Sequence, residues 1–358
     1  MLTRADISRE IAPIYNEEMK IADIPTVFHE IETNGIGYLD LMFDLSDVPE
    51  KDLPMVGLLQ AVLGIIDTEH YEYGELFNEI NRHTGGIGTS LELYPDVTKV
   101  KEKEFKATFE IKGKALYGQI PFAIRMMKEI LTASKLDDEK RLKEILSMTK
   151  TRLQDRFLSA GHSAAALRAM SYKSPISKFK DTTNGIEYYQ NIREMEEHFD
   201  EKKEEIISGL KALSELLFRK GNVMISYTAS REGLAVLEEE IGSLKEALYP
   251  EKTPESRCIL HCEKKNEGFK TSSKVQFAAK AGNFIDAGEE YNGALQILKV
   301  IMSYEYLWIN IRVKGGAYGC MSNFNRIGEG YFVSYRDPNL RRTLEIYDGV
   351  PEYLENFT

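Results

Sequence analysis

Residues 312–319 read RVKGGAYG and join a long helical pattern to an apolar, aromatic-rich run. Two adjacent glycines, Gly315 and Gly316, permit a tight turn or the close approach of another chain. Arg312 brings a permanent charge and five N–H donors, and Tyr318 brings a phenol on an apolar ring. Such a set can donate hydrogen bonds to a peptide carbonyl or an oxyanion. A plain helix-to-strand turn with a surface arginine and a packed tyrosine remains the alternative, because a short glycine-rich loop is a weak signal.

The sequence around this stretch alternates between strand-like and helix-like patterns. It predicts strands and helices in the order Arg257–Glu263 (strand), Lys274–Ala281 (strand), Tyr291–Ile309 (helix), Ala317–Asn325 (strand), Gly330–Arg336 (strand) and Asn339–Asn356 (helix). The chain stops inside the last predicted helix. We therefore expect an incomplete second domain and a chain that is a fragment of a longer polypeptide.

The first part of the chain opens with a similar order of elements. Strand-like runs at Thr26–Glu32 and Ile36–Leu45 flank Asn34-Gly35, a dipeptide that predicts a β-hairpin. Two helices follow, the second ending at Gly85-Gly86, and two more strands come before a mostly helical region over residues 116–219. A strand over residues 222–228 and a helix that ends at Tyr249 complete the pattern.

These patterns predict an α+β fold of two homologous domains, each a mainly antiparallel sheet covered by helices. The first domain is predicted over residues 1–250, with a polar lead-in over residues 1–24. The second is predicted over residues 251–358, beginning with a linker at Pro250–Pro254.

Composition excludes several classes of function. The 358 residues carry a formal net charge of -11, which argues against a nucleic-acid-binding surface. No apolar run approaches the length of a membrane span, and the charged N-terminus lacks a signal-peptide core. The three cysteines, Cys258, Cys262 and Cys320, fit a reducing compartment better than a disulfide framework. We expect a cytoplasmic protein without membrane or nucleic-acid partners.

The sequence contains no complete catalytic set. The closest two of its six histidines, His70 and His83, are thirteen residues apart, so HxxEH and HxxxH zinc motifs are absent. In a strand, Cys258 and Cys262 would lie on one face and His261 on the other, which favours two buried thiols over a metal site. His70 lies among acidic residues and is interpreted as part of a solvated loop.

A resemblance to a known family emerges from the longer run LWINIRVKGGAYG, residues 307–319. This run resembles the last domain of the insulinase (pitrilysin) family of zinc metallopeptidases, and most of all its presequence-protease branch. The later runs YFVSYRDPN (331–339) and YDGVP (347–351) are similar to that branch as well. Members of the family have four homologous domains, paired as two halves around a peptide chamber. The resemblance implies that this chain is the second half, with its third and fourth domains.

The resemblance also implies that the zinc site lies elsewhere. The third domain of the family is a degenerate copy of the catalytic one, and residues 55–64 match its motif helix. Val56, Leu59 and Gln60 then stand where a catalytic domain has its histidine, glutamate and histidine. Zinc would be held by the missing N-terminal half, and this chain alone is expected to bind no metal and to be inactive.

By the same match, Arg312 and Tyr318 are the residues that contact the substrate backbone and polarise the scissile carbonyl, with Gly315, Gly316 and Ala317 as neighbouring substrate-binding positions. The implied function is the non-zinc half of a metallo-oligopeptidase that degrades unstructured peptides. The alternative is a separate, non-catalytic subunit of the same family, acting as a partner or structural protein. A peptide-binding scaffold without a catalytic partner is a third possibility.

Overall fold

The chain is described here by a computed structural model that covers residues 3–8, 10, 15–254 and 256–357. A six-stranded sheet forms its first unit, in the order β1-β2-β6-β3-β5-β4. Four of the five neighbouring pairs are antiparallel, and only β2 and β6 are parallel. The strands are β1 (Glu17–Ile21), β2 (Ile24–Glu30), β3 (Ile36–Asp44), β4 (Ile87–Pro95), β5 (Phe105–Leu116) and β6 (Val223–Ala229).

Helices cover one face of this sheet, because alternate strand residues on that face are apolar. Leu39, Leu41 and Phe43 of β3 are almost completely buried, and the rings of Phe43 and Phe109 both meet Phe218 edge-on. The helices are α1 (Leu53–Val62), α2 (Tyr73–His83), α3 (Ile120–Thr132), α4 (Glu139–Ser171), α5 (Pro175–Asn184), α6 (Ile186–Glu197), α7 (Phe199–Leu217) and α8 (Arg231–Ala247). Helix α4 has a kink at Ala160, whose backbone angles are not helical.

The predicted hairpin at Asn34-Gly35 is wrong. Both residues have positive φ, 53° and 79°, so the chain does turn there. However, β6 lies between β2 and β3 and pairs with both of them. The connection of five residues, 31–35, is long enough to span an inserted strand, whereas a two-residue hairpin turn is not. The polar lead-in was also misinterpreted, because Glu17–Ile21 forms the edge strand β1.

A three-stranded antiparallel sheet in the order β7-β9-β8 forms the second unit. Its strands are β7 (Ala279–Asn283), β8 (Gly319–Phe324) and β9 (Glu329–Tyr335). Its helices are α9 (Ala294–Ile301), α10 (Arg341–Asp348) and α11 (Val350–Glu355), and α9 continues through wider π-helical turns at Met302–Tyr306 and Trp308–Val313. The predicted helix over residues 291–309 therefore forms, starts later and extends to the glycine loop.

The predicted strand at Arg257–Glu263 does not form. This segment is irregular and binds the first unit through single contacts: the Cys258 N–H donates to the Ser46 carbonyl, and the His261 ring bonds the Glu50 carboxylate. Cys262 is exposed, so the interpretation of two thiols buried in a strand is wrong as well. The run alternates between apolar and polar residues, but it pairs with no strand among the described residues, and alternation alone does not provide a partner. Of the predicted strand Lys274–Ala281, only the end from Ala279 belongs to β7.

The two units share a topology. In the first unit, β3 is followed by helices and then by β4, and β5 lies between β3 and β4 in the sheet. In the second unit, β7, β8 and β9 are arranged in the same way, with β9 between β7 and β8. A sequence signature accompanies the repeat, because Arg82 precedes Gly85-Gly86 just as Arg312 precedes Gly315-Gly316. This agreement supports the internal repeat, and it makes α2 the counterpart of the helical segment that leads to the glycine loop.

The second unit packs against α4 of the first. Phe277 lies so close to Gly161 that a Cβ at this position would be 2.5 Å from its ring. Arg168 of α4 donates to Asp181 of α5 and to Glu267 of the connecting segment, at 2.6 and 2.8 Å. The interface therefore combines a close backbone–ring contact with a half-buried ion pair.

This close contact predicts opposite effects for two helical glycines. Gly161→Ala should destabilise the chain by about 1–3 kcal/mol, because the new methyl group overpacks against Phe277. Gly242→Ala is the matched control, since its Cβ would meet only an ordinary contact 3.9 Å away, and it should stabilise by up to about 1 kcal/mol through helix propensity. Urea denaturation of both variants measures the difference, and stabilisation by both would contradict the packing described here.

Candidate functional site

The glycine loop takes a shape that other residues would not allow. The π-helical turn ends with hydrogen bonds from the Gly316 N–H to the Arg312 carbonyl (2.9 Å) and from the Ala317 N–H to the Ile311 carbonyl (3.1 Å). A Cβ on Gly315 would lie 2.4 Å from the Ile311 carbonyl oxygen, and Gly316 has a φ of +80°. The double glycine is therefore required by the close approach at one position and by the left-handed backbone at the next.

The structure brings Arg312 and Tyr318 together, as the sequence predicts. The Arg312 guanidinium donates a hydrogen bond to the Tyr318 carbonyl. It also lies 4.4 Å from the centre of the Trp308 ring and 5.4 Å from that of Tyr318, within the range of cation–π attraction. The Tyr318 side chain is 65% exposed, and its ring meets Tyr335 edge-on. The arginine is thus held in place while the phenol faces solvent.

An open cavity of about 420 Å³ lies over this pair. Its lining residues are Arg312, Val313, Gly316, Ala317, Tyr318 and Arg336. The predicted positions Gly316 and Ala317 thus border the cavity, but their N–H groups already donate within the loop. The Gly315 carbonyl likewise accepts from the Asn339 side chain at 2.6 Å. The backbone of all three residues shapes the loop, and direct contact with a substrate stays a prediction.

Sequence reasoning missed Arg336, which borders the same cavity. It follows β9 with a φ of +48°, and its carbonyl, like that of Tyr335, accepts from the Tyr318 N–H. Its guanidinium lies 5.4 Å from the centre of the Tyr335 ring. The run YFVSYRDPN contained the signal, a charged residue directly after an apolar strand, but a left-handed arginine cannot be recognised from sequence.

Cys320 follows the loop directly, in β8. It is buried, and burial raises the pKa of its thiol to about 11, with the nearby Arg312 charge only partly opposing the shift. At neutral pH the group is therefore a thiol packed in the core of the second unit.

Helix α1, which the resemblance matches to a zinc-motif helix, carries side chains that do not suit a metal. Val56 and Leu59 of α1 are fully buried and apolar, and the Gln60 side-chain amide donates to the Thr89 carbonyl at 3.3 Å. Thr89 returns a hydrogen bond from its hydroxyl to the Gln60 carbonyl. Among the residues that the structure describes, no group of three or more His, Cys, Asp or Glu side chains is arranged to hold a metal ion.

Two other predictions can be set against the structure. His70 lies in the loop between α1 and α2, and its largely exposed ring bonds the buried Glu129 carboxylate at 3.0 Å, which makes it part of a structural pair. No helix in the described part of the chain is long and apolar enough to cross a membrane.

Known proteins resemble this chain along its whole length. Residues 1–195 match the family model of the domain associated with M16 peptidases of subfamily C, and residues 266–358 match that of the PreP C-terminal domain. Protein HypA of Clostridium perfringens is 38% identical over 100% of this chain and 36% of its own length. Presequence protease 1, chloroplastic/mitochondrial, of Arabidopsis thaliana is 28% identical over 99% of this chain and 33% of its own length. The chain thus spans about a third of the length of these curated relatives.

Solved structures support the same fold. The peptidase M16 inactive domain from Pseudomonas fluorescens superposes with a TM-score of 0.57 at 16% identity, covering 96% of this chain and 80% of that one. A conserved protein from Enterococcus faecalis superposes with a TM-score of 0.62 at 14% identity, covering 95% and 80%. Several relatives have mitochondrial names, so the cytoplasmic location stays a prediction.

The burial of the three thiols predicts an order of chemical reactivity. Iodoacetamide at pH 8 should modify the exposed Cys262 first and the buried Cys320 last, because the reagent reaches an exposed thiol most easily and a buried one least. Peptide mass spectrometry over time measures the order, with the urea-unfolded chain as the control in which all three react alike. Equal rates for Cys262 and Cys320 in the folded chain would contradict the burial.

Proposed function

The chain belongs to the family of domains associated with subfamily C of the M16 peptidases and corresponds to the C-terminal half of such a peptidase, and from this premise we propose that it completes a peptidase site whose zinc lies in another half. In this proposal the chain closes over an N-terminal catalytic half, forms part of a chamber for unstructured peptides, and contributes Arg312 and Tyr318 to the reaction. The observation that carries it is the convergence of both side chains on one open cavity.

The division of labour follows from the residues present. The counterpart of the zinc helix offers Val56, Leu59 and Gln60, which do not suit a metal, so this chain supplies no metal-activated water. The bound zinc of the catalytic half would supply that chemistry. The glycine loop supplies hydrogen-bond donors instead: the exposed Tyr318 hydroxyl and the guanidinium N–H groups that do not bind the Tyr318 carbonyl.

Those donors suit a carbonyl oxygen that gains negative charge as water attacks it. Arg312 is held between two aromatic rings and a carbonyl, so it loses little conformational freedom when it binds. Removing one such donor from an oxyanion site typically lowers the rate by about 10²–10³. Because the donors and the zinc lie in different halves, closure of the two halves would be part of assembling the site.

Substitutions in the loop test these roles. When the chain is combined with the catalytic half of its own enzyme, Tyr318→Phe and Arg312→Lys should each lower kcat/KM for a quenched fluorescent peptide by about 10²–10³. Lys314→Ala is the matched control, since Lys314 is an exposed cation of the same loop outside the cavity, and it should change the rate less than about twofold. Unchanged activity in both Tyr318→Phe and Arg312→Lys would remove the proposed roles.

The proposal also predicts the behaviour of the isolated chain. Purified alone and dialysed against zinc, it should retain well under one equivalent of metal and leave the peptide uncut, because α1 offers no ligand set. Elemental analysis by mass spectrometry, with an HxxEH-containing catalytic half as the positive control, measures this. Stoichiometric zinc in the isolated chain would overturn the division of labour.

A further inference from the structure

We propose that Arg312 and Arg336 together form a carboxylate-binding subsite that selects peptides with an acidic group at this cavity. The inference rests on the proposed function for its biological meaning, because it names the class of peptide that the site prefers. Its physical basis, two arginines over one cavity, does not depend on that function.

Of the described residues that line the cavity, only the two arginines are charged. Neither guanidinium forms an ion pair with a carboxylate among the residues that the structure describes. An anion bound at this cavity would be attracted by both positive charges.

The nearest acidic residue in sequence is turned away from the cavity. Asp337 is completely buried, and its carboxylate accepts hydrogen bonds from the Thr343 hydroxyl (2.6 Å) and the Asn339 N–H (2.8 Å). These bonds hold it on the core side of the chain, while the exposed Arg336 borders the cavity on the other side. The sequence thus separates two adjacent opposite charges rather than letting them pair.

The backbone at Arg336 adds an independent argument. A left-handed φ of +48° is unfavourable for a residue with a side chain, and glycine would avoid that cost. The conformation is fixed by the Tyr318 N–H, which reaches the carbonyls of both Tyr335 and Arg336. The same backbone contact therefore joins the segments that carry Arg312, Tyr318 and Arg336, so the three side chains are positioned as a set.

A carboxylate is the anion that this arrangement suits best in a peptide. Planar guanidinium groups bind carboxylates through two parallel hydrogen bonds and are more weakly hydrated than ammonium groups, and an aromatic ring lies beside each arginine. Two sources share this chemistry: the side chain of an acidic residue and the free C-terminus of the peptide. Trp308, the only tryptophan of the chain and a direct neighbour of Arg312, provides a built-in reporter for either.

The test is a titration of this chain followed by Trp308 fluorescence. The probes are acetyl-Ala-Glu-Ala-amide against acetyl-Ala-Gln-Ala-amide, and acetyl-Ala-Ala-Ala with a free C-terminus against its amide. We expect a saturable change with at least one carboxylate peptide and none with its neutral match. Arg336→Gln should weaken that binding by about tenfold, since a hydrogen-bonded charge pair is lost. Arg342→Gln, an exposed arginine of α10 outside the cavity, should leave it unchanged.

The outcomes separate the possibilities. Preference for the glutamate peptide alone identifies an acidic side chain as the ligand, and preference for the free acid alone identifies the C-terminus. Equal responses to charged and neutral probes, or equal affinities in Arg336→Gln and Arg342→Gln, would overturn the subsite. Because the fluorescence titration measures binding and not activity, a failure of the proposed catalytic role would leave its results interpretable. In the assembled enzyme, Arg336→Gln should lower kcat/KM for the glutamate peptide and spare the glutamine one.

Discussion

The second unit depends on one steric constraint, the passage of residues 315–316 within contact distance of the Ile311 carbonyl. No Cβ fits at Gly315, and Gly316 needs a left-handed backbone. Because the chain turns there, β8 begins directly beneath the end of the π-helical segment, and Arg312 can reach the carbonyl of Tyr318. The stacking on Trp308 and the cavity itself follow from this turn. A looser loop would leave the same residues in the sequence without bringing them together.

The first unit contains the same glycine turn without an available arginine and a phenol beside it. Gly85-Gly86 again precedes a strand, Gly86 again has a positive φ, and Arg82 occupies the position of Arg312. There, however, Arg82 pairs with Glu79 on its own helix, and Gly88 stands where the other copy has Tyr318. The shared turn is therefore a requirement of the fold. The difference between the copies lies in whether the arginine is neutralised and whether a phenol follows, and only the second copy leaves both groups available.

The sequence predicted the elements whose signal is local. Alternation located β3, β5, β8 and β9, and the RVKGGAYG run brought out Arg312 and Tyr318 as neighbours. It failed where the outcome depends on distant residues: the insertion of β6 beside β2 comes from a strand some two hundred positions later, and the 257–263 run had no partner to pair with. Arg336 was missed for a third reason, because its left-handed backbone is imposed by the Tyr318 N–H and not by its own residue type.

The exposure of Tyr318 gives a physical reason for dividing the proposed site between two halves. Tyr318 is 65% exposed in this chain, and in water its hydroxyl exchanges one hydrogen-bond partner for another at little net gain. The same donor becomes far more effective once a covering surface excludes water and lowers the local dielectric. Under the proposed function, a chain that carries donors without zinc gains its effect only on closure, and hydrolysis is then restricted to peptides that are already enclosed. The attraction of Arg312 and Arg336 for an anion also becomes stronger as water is excluded.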